Sequence, residues 1–251
     1  MFRSVRGVVR LGLAVAYLLG VALRMHLGFA RLPFDERQRR VQHWSAGVLR
    51  CLGMRLVVHG HMRPGARLVV ANHISWLDIM AVNAVETCRF VSKSEVRDWP
   101  VVGRMVTLAG TIYLERARKR DALRVLGLVA QTLKDGHAAA VFPEGTTTDG
   151  HTLLPFHANL LQSAIDADVP VQPLALRYSD AKQVISPAAA YVGDTTLLQS
   201  LWWVACAEDL TVTVRVLPPV RVTHADRRAL ADSLREQIRT ALEPGPEREQ
   251  A

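Results

Sequence analysis

The chain of 251 residues is poor in cysteine, and the three it has exclude two classes of protein. Cys51, Cys88 and Cys206 are odd in number, widely spaced and form no CxxC, so neither a disulfide framework nor a zinc site is expected and a reducing compartment fits. Acids are scarce at the front: residues 1–53 hold nine arginines against two acids, a balance of +7 out of the whole chain's +8. A nucleic-acid enzyme would line a groove of its folded domain with basic residues, so this distribution argues against nucleic acid and for an anionic membrane surface as partner. A long apolar run is missing too. The uncharged stretch between Arg10 and Arg24, LGLAVAYLLGVAL, has 13 residues; as a helix it is about 20 Å long against a hydrocarbon core of about 30 Å. There is no internal repeat, and no GxSxG elbow for a serine nucleophile.

What the N-terminus does contain is an anchor. Extending the helix from Val8 to Leu32 would reach across a bilayer if Arg10 and Arg24 snorkel to the headgroups; embedding in one leaflet is equally open. A second segment from Phe34 sets Val41, Trp44, Val48, Cys51 and Leu52 at helical spacing among arginines and reads as an interfacial amphipathic helix. Arg3 and Arg6 ahead of the apolar stretch resemble a signal peptide, but Arg24 and Met25 stand where a cleavage site needs small residues, so an uncleaved anchor is expected. The basic segment 31–50 favours a main domain on the cytoplasmic side of an inner membrane. Residues 1–53 are therefore read as membrane-anchoring helices, 54–243 as the catalytic unit and 244–251 as a disordered tail.

Within the unit, strands are expected at 55–60, 67–71, 88–92, 110–115, 138–142, 171–178 and 210–217, and helices near 76–86, 101–108, 117–135, 157–167, 195–206 and 224–242. That alternation predicts an α/β fold. The strands joined by hairpin-length gaps at its start and end predict a mixed β-sheet flanked by helices. Ligands gather at the C-terminal ends of strands in such sheets, and several polar motifs fall there.

The first is NHISWLD, Asn72 to Asp78. Residues five apart diverge by about 140° on one helix, so His73 reaches Asp78 only from the turn before it, where Ser75 and Asp78 have capping-box spacing. The pair is either a general base with its orienter or a loop histidine beside a helix cap. The second is VFPEGTTTDG, whose Glu144 can fix the loop or accept from a substrate hydroxyl, while Gly145, Thr146 and Thr147 offer N–H and hydroxyl groups to a polar headgroup. Arg116, after GTIYLE, and Lys93, after CRFVS, sit at strand ends suited to phosphate. His59 and His61 in HGH lack a third ligand at a sensible spacing and read as a strand-end turn.

In order, NHISWLD, FVSKSEVRDWPVVG, GTIYLER, FPEGTTT and VPVQP resemble the four-block pattern of the glycerolipid acyltransferases that include the 1-acylglycerol-3-phosphate acyltransferases, over about residues 54–220. The resemblance implies a glycerol-3-phosphate acyltransferase-like fold and transfer of a fatty acyl group from acyl carrier protein or coenzyme A to the hydroxyl of a lyso-lipid, 1-acyl-sn-glycerol-3-phosphate first. It makes His73 the base and Asp78 its orienter, gives Arg116 to phosphate, gives Glu144, Gly145 and Thr146 to the second substrate block, and requires no metal or cofactor. The sequence departs from the pattern at Thr147, where EGTR has Arg, and at His157 and Asn159, where FKxG has Lys and Gly. Less positive charge leaves room for a lysophospholipid diester or a lyso-ornithine lipid as acceptor. A catalytically silent lipid-binding protein is the rival from another class; a phosphohydrolase lacks its carboxylate cluster.

Overall fold

The computed structural model describes residues 2–99, 102–115, 119–223 and 225–243. Seven strands, β1 (Arg55–His59), β2 (Arg67–Ala71), β3 (Arg89–Lys93), β4 (Ile112–Leu114), β5 (Ala138–Val141), β6 (Val171–Ser179) and β7 (Thr211–Val216), form one sheet in the order β1-β7-β6-β2-β5-β3-β4. Around it lie α1 (Phe2–His26), α2 (Phe34–Cys51), α3 (Leu77–Val85), α4 (Val102–Leu108), α5 (Lys119–Lys134), α6 (Gln162–Ala167), α7 (Leu197–Cys206) and α8 (Arg227–Leu242). RLVVA is apolar at successive positions because β2 is covered on both faces: Val69 and Ala71 join the core beneath α1, α2, α3 and α7, and Leu68 and Val70 the core beneath α5, α6 and α8.

The sheet is mixed, with its antiparallel pair among the last strands and not at the start. β1 and β2 form no hairpin; β7 and β6 lie between them, and the antiparallel pair is β6·β7. Half-exposed β1 is suited to the sheet edge and fully buried β2 to its middle, so burial overrides the short connection. The segment 157–167 is likewise two pieces, a 3-10 turn at Ala158–Leu161 running into α6.

Of the two N-terminal helices expected at a membrane, the second packs on the domain. Residues Trp44, Val48 and Leu49 of α2 are buried, and Gln42 Nε2 donates to Val85 O at the end of α3 (2.7 Å), so the apolar face of α2 is turned into the domain. Among the described residues one helix, Arg3–His26, is long and apolar enough to cross a membrane. Its inner side packs along its length, with Gly7, Ala14, Val21 and Met25 buried. Gly7 lies so close to α7 that a Cβ there would come within 2.5 Å of Cys206 Sγ. Its outer side exposes Val5, Val8, Leu13, Leu19 and Leu23. The expected tail 244–251 lies outside the described residues.

Candidate active site

β2 ends at Ala71, and Asn72 prolongs its pairing with side-chain atoms. Its Nδ2 donates to Leu176 O (2.9 Å) and its Oδ1 accepts from Leu176 N (2.7 Å), which pins the start of the turn to β6. The turn then rises into α3. Half of the expected capping box forms: Asp78 reaches backward, its Oδ2 accepting from Ser75 N (2.9 Å) and also from Ile74 N (2.7 Å). The other half is missing, since Ser75 Oγ is buried with no partner among the described residues and Trp76 stands at the N-cap without a side-chain bond. A carboxylate near a helix N-terminus is favoured by those orphan N–H groups and the helix dipole.

The same oxygen meets His73 Nδ1 at 2.7 Å, and Asp78 Oδ1 accepts from Tyr178 Oη at 2.7 Å. Asp78 is completely buried, whereas the His73 side chain is 19% exposed. An ionised carboxylate can only accept, so Nδ1 carries the proton and Nε2 of the neutral ring keeps a lone pair. The ring lies flat on Phe142, with centroids 4.0 Å apart, and Phe142 packs in turn against Phe90. Such a fixed imidazole, backed by a buried acid, can take a proton from a hydroxyl. Burial and the neighbouring Asp78 hold the Tyr178 phenol well above its usual pKa, so it stays a donor.

The loop after β5 braces this turn. Glu144 Oε1 accepts from His73 N (2.7 Å) and Oε2 from Leu154 N (2.9 Å). Thr148 N donates to His73 O (2.8 Å), so the backbone of His73 is held on both sides. Burial raises the pKa of Glu144, an effect partly offset by those two N–H donors. Gly145 turns the chain with φ 71°, a conformation that L side chains avoid, and Thr146 is exposed beyond it. The N–H groups of residues 73, 74 and 75 are all engaged by Glu144 and Asp78, so the donors for an oxyanion are not to be sought among them.

The acyltransferase family profile matches residues 55–177. The 1-acyl-sn-glycerol-3-phosphate acyltransferase of Neisseria meningitidis is 39% identical over 83% of this chain and 82% of its own length. The chain belongs to the acyltransferase family. The lyso-ornithine lipid O-acyltransferase of Pseudomonas aeruginosa is 36% identical over 96% of this chain and 93% of its own. The crystal structure of the Thermotoga maritima 1-acyl-sn-glycerophosphate acyltransferase shares the fold, with a TM-score of 0.71 at 19% identity over 99% of this chain and 98% of that one.

In this acyltransferase the expected site residues divide. His73, Asp78, Glu144, Gly145, Thr146 and Thr147 come together from two neighbouring strand ends. Lys93 closes β3 with its side chain outside the described part, and Arg116 lies outside the described residues. Thr147 donates its hydroxyl to Tyr191 O, and Tyr191 N donates to Ile74 O (3.1 Å), so the residue in the usual arginine's place ties two loops together. Sequence reasoning placed Asn72 beside His73 at a strand end without giving it a role, and it missed Tyr178 and Phe142. For Tyr178 a signal existed: a tyrosine at an inward position of the strand VQPLALRY needs a partner for its hydroxyl. Cys88 is buried and burial pushes its thiol up to about 12, which removes it as a nucleophile near neutral pH.

Proposed function

We propose that this acyltransferase moves a fatty acyl group from an acyl thioester directly to the free hydroxyl of a lyso-lipid, with His73 as general base and Asp78 orienting it. The observation that carries the reading is the 2.7 Å contact between His73 Nδ1 and a fully buried Asp78, which leaves Nε2 for the acceptor. As the hydroxyl oxygen attacks the thioester carbonyl carbon, its proton passes to Nε2, and Asp78 stabilises the imidazolium. Collapse of the tetrahedral adduct breaks the C–S bond, and the leaving thiolate takes that proton back, so no acyl-enzyme is needed.

An apolar cavity of about 140 Å³ lies between α1, α2, α3 and β3, and Phe90 on its wall packs on the Phe142 that supports His73. It supports a reading in which the acyl chain runs inward from the catalytic turn. The exposed apolar stripe of α1 continues onto α7 through Leu198, Trp202 and Trp203. Because α1 is packed on the domain from Gly7 to Met25, a stretch of about 27 Å, embedding in one leaflet suits it better than a span. The basic N-terminal segment favours the cytoplasmic face of an inner membrane.

For the acceptor, a headgroup of low negative charge fits best, with lyso-ornithine lipid first, because Thr147 is held by a carbonyl where a cation is usual and His157 replaces the usual Lys. The second reading is 1-acyl-sn-glycerol-3-phosphate, favoured by the relative at 39% identity and by Arg116. The deciding experiment offers both lipids and other lysophospholipids in parallel to the purified protein, with acyl carrier protein and coenzyme A thioesters, and reads products by mass spectrometry. Binding of lyso-lipid without thioester consumption would instead favour the silent lipid-binding protein.

A further inference from the structure

β6 presents Tyr178 to the catalytic turn and therefore presents Arg177 to the opposite face of the sheet. On that face Arg215 of β7 stands opposite Ala175, diagonal to Arg177, and His59 of β1 stands opposite Arg215. These side chains, with Lys182 from the turn after β6, line a groove of about 480 Å³ beside the end of α8.

The charges in this groove are unbalanced. Arg215 donates to Ala241 O (2.8 Å), which caps α8, but among the described residues the Arg177 guanidinium makes no hydrogen bond or ion pair. Burial and the neighbouring Arg215 lower its pKa, so the fold holds two guanidinium groups together against their repulsion. Asp180, the acid on the wall, is committed to its own turn: Oδ1 accepts from Lys182 N and Gln183 N, and Oδ2 from Ser186 Oγ. A second groove of about 460 Å³ shares that turn and carries Arg3, Arg6 and Trp203, which leads to the apolar surface of α1 and α7.

We propose that the groove of Arg177, Arg215 and Lys182 binds a phosphate group, at a site separate from the one that performs acyl transfer. Two guanidinium forks and an ammonium, with Ser179 and Thr213 hydroxyls beside them, match the geometry and charge of phosphate oxygens. Two sources present that chemistry here: the headgroup of an anionic membrane lipid and the phosphates of the donor's pantetheine carrier.

Arg177→Gln and Lys182→Gln test the site, since neither side chain makes a hydrogen bond or ion pair among the described residues, whereas Arg215 is left intact. Full-length protein is partitioned onto phosphatidylcholine vesicles with and without phosphatidylglycerol, and binding of coenzyme A is measured by calorimetry. Each lost charge should weaken one of the two by about fivefold, the equivalent of about 1 kcal/mol. Loss confined to phosphatidylglycerol vesicles assigns the groove to lipid; loss confined to coenzyme A assigns it to the donor. Unchanged binding of both, or an equal loss from Arg228→Gln at the far end of α8, overturns the proposal. The readout is binding, so it stands whether or not His73 is the base.

Discussion

Two loops leave the sheet side by side, after β2 and after β5, and each buries one carboxylate, yet the two acids are used differently. Asp78 accepts from two backbone N–H groups, a phenol and an imidazole. Glu144 accepts from two backbone N–H groups, one of them belonging to His73 itself. The first acid is coupled to a side chain with an exposed edge; the second is coupled to the peptide that carries that side chain. A carboxylate becomes part of proton transfer here by meeting a titratable ring, and otherwise serves as a backbone staple.

The contrast is broken most severely at the ring. His73→Ala should lower kcat by about 10²- to 10⁴-fold, while melting temperature and vesicle binding stay near wild type. Substantial residual transfer would remove His73 from the mechanism. Asp78→Asn should lose activity on the same scale and also stability, by about 1–3 kcal/mol, because an amide has one acceptor oxygen: turned toward Ile74 N and Ser75 N, it leaves an NH2 donor facing the Tyr178 hydroxyl. A urea titration of the two variants separates them: the first changes rate alone, the second both.

Glu144→Gln attacks the staple. It should cost about 1–3 kcal/mol of stability, with kcat falling only as far as His73 drifts and the acceptor KM unchanged. The pH dependence gives its signature. The native carboxyl has a raised pKa, so its stabilising share is complete below the unfolded value and is lost as pH rises through the folded one. The difference in stability between wild type and Glu144→Gln should therefore grow as pH falls through that window; a flat difference would mean that folding does not raise the Glu144 pKa.

How legible was this contrast beforehand? Strand positions followed from apolar runs, since β2 and β6 are covered on both faces and their composition shows it. The His73–Asp78 meeting was legible because the spacing demands a turn. The order of strands was not, because the Gly60–Ala66 connection gives no hint that β7 and β6 come between its ends. Nor was the inward rotation of α2: an amphipathic pattern states that a helix has an apolar face, not whether lipid or protein covers it. Tyr178 lies 100 residues beyond Asp78 and becomes its partner only through the β2–β6 pairing. Tyr178→Phe tests that long-range contact. It should lower kcat by a smaller factor than Asp78→Asn, leave donor KM unchanged because the phenol is buried, and move the acid limb of the kcat/KM profile upward, since a carboxylate with one fewer donor holds the imidazolium more tightly.

The mildest change falls on the strap between the loops. Thr147→Val keeps volume and removes the hydroxyl that Tyr191 O accepts, a loss of about 0.5–1.5 kcal/mol. Tyr191 also donates to Ile74 O beside the base, so slack at residue 147 passes to the catalytic turn by that backbone bond. Glu144 and Thr148 still clamp His73 from the other side. Acceptor KM should therefore rise modestly while kcat holds, and the preference between lyso-ornithine lipid and 1-acyl-sn-glycerol-3-phosphate should not change, because a side chain tied to a carbonyl cannot also read a headgroup. A shifted preference would place the Thr147 hydroxyl against the acceptor, and the two loops would then both be substrate-facing.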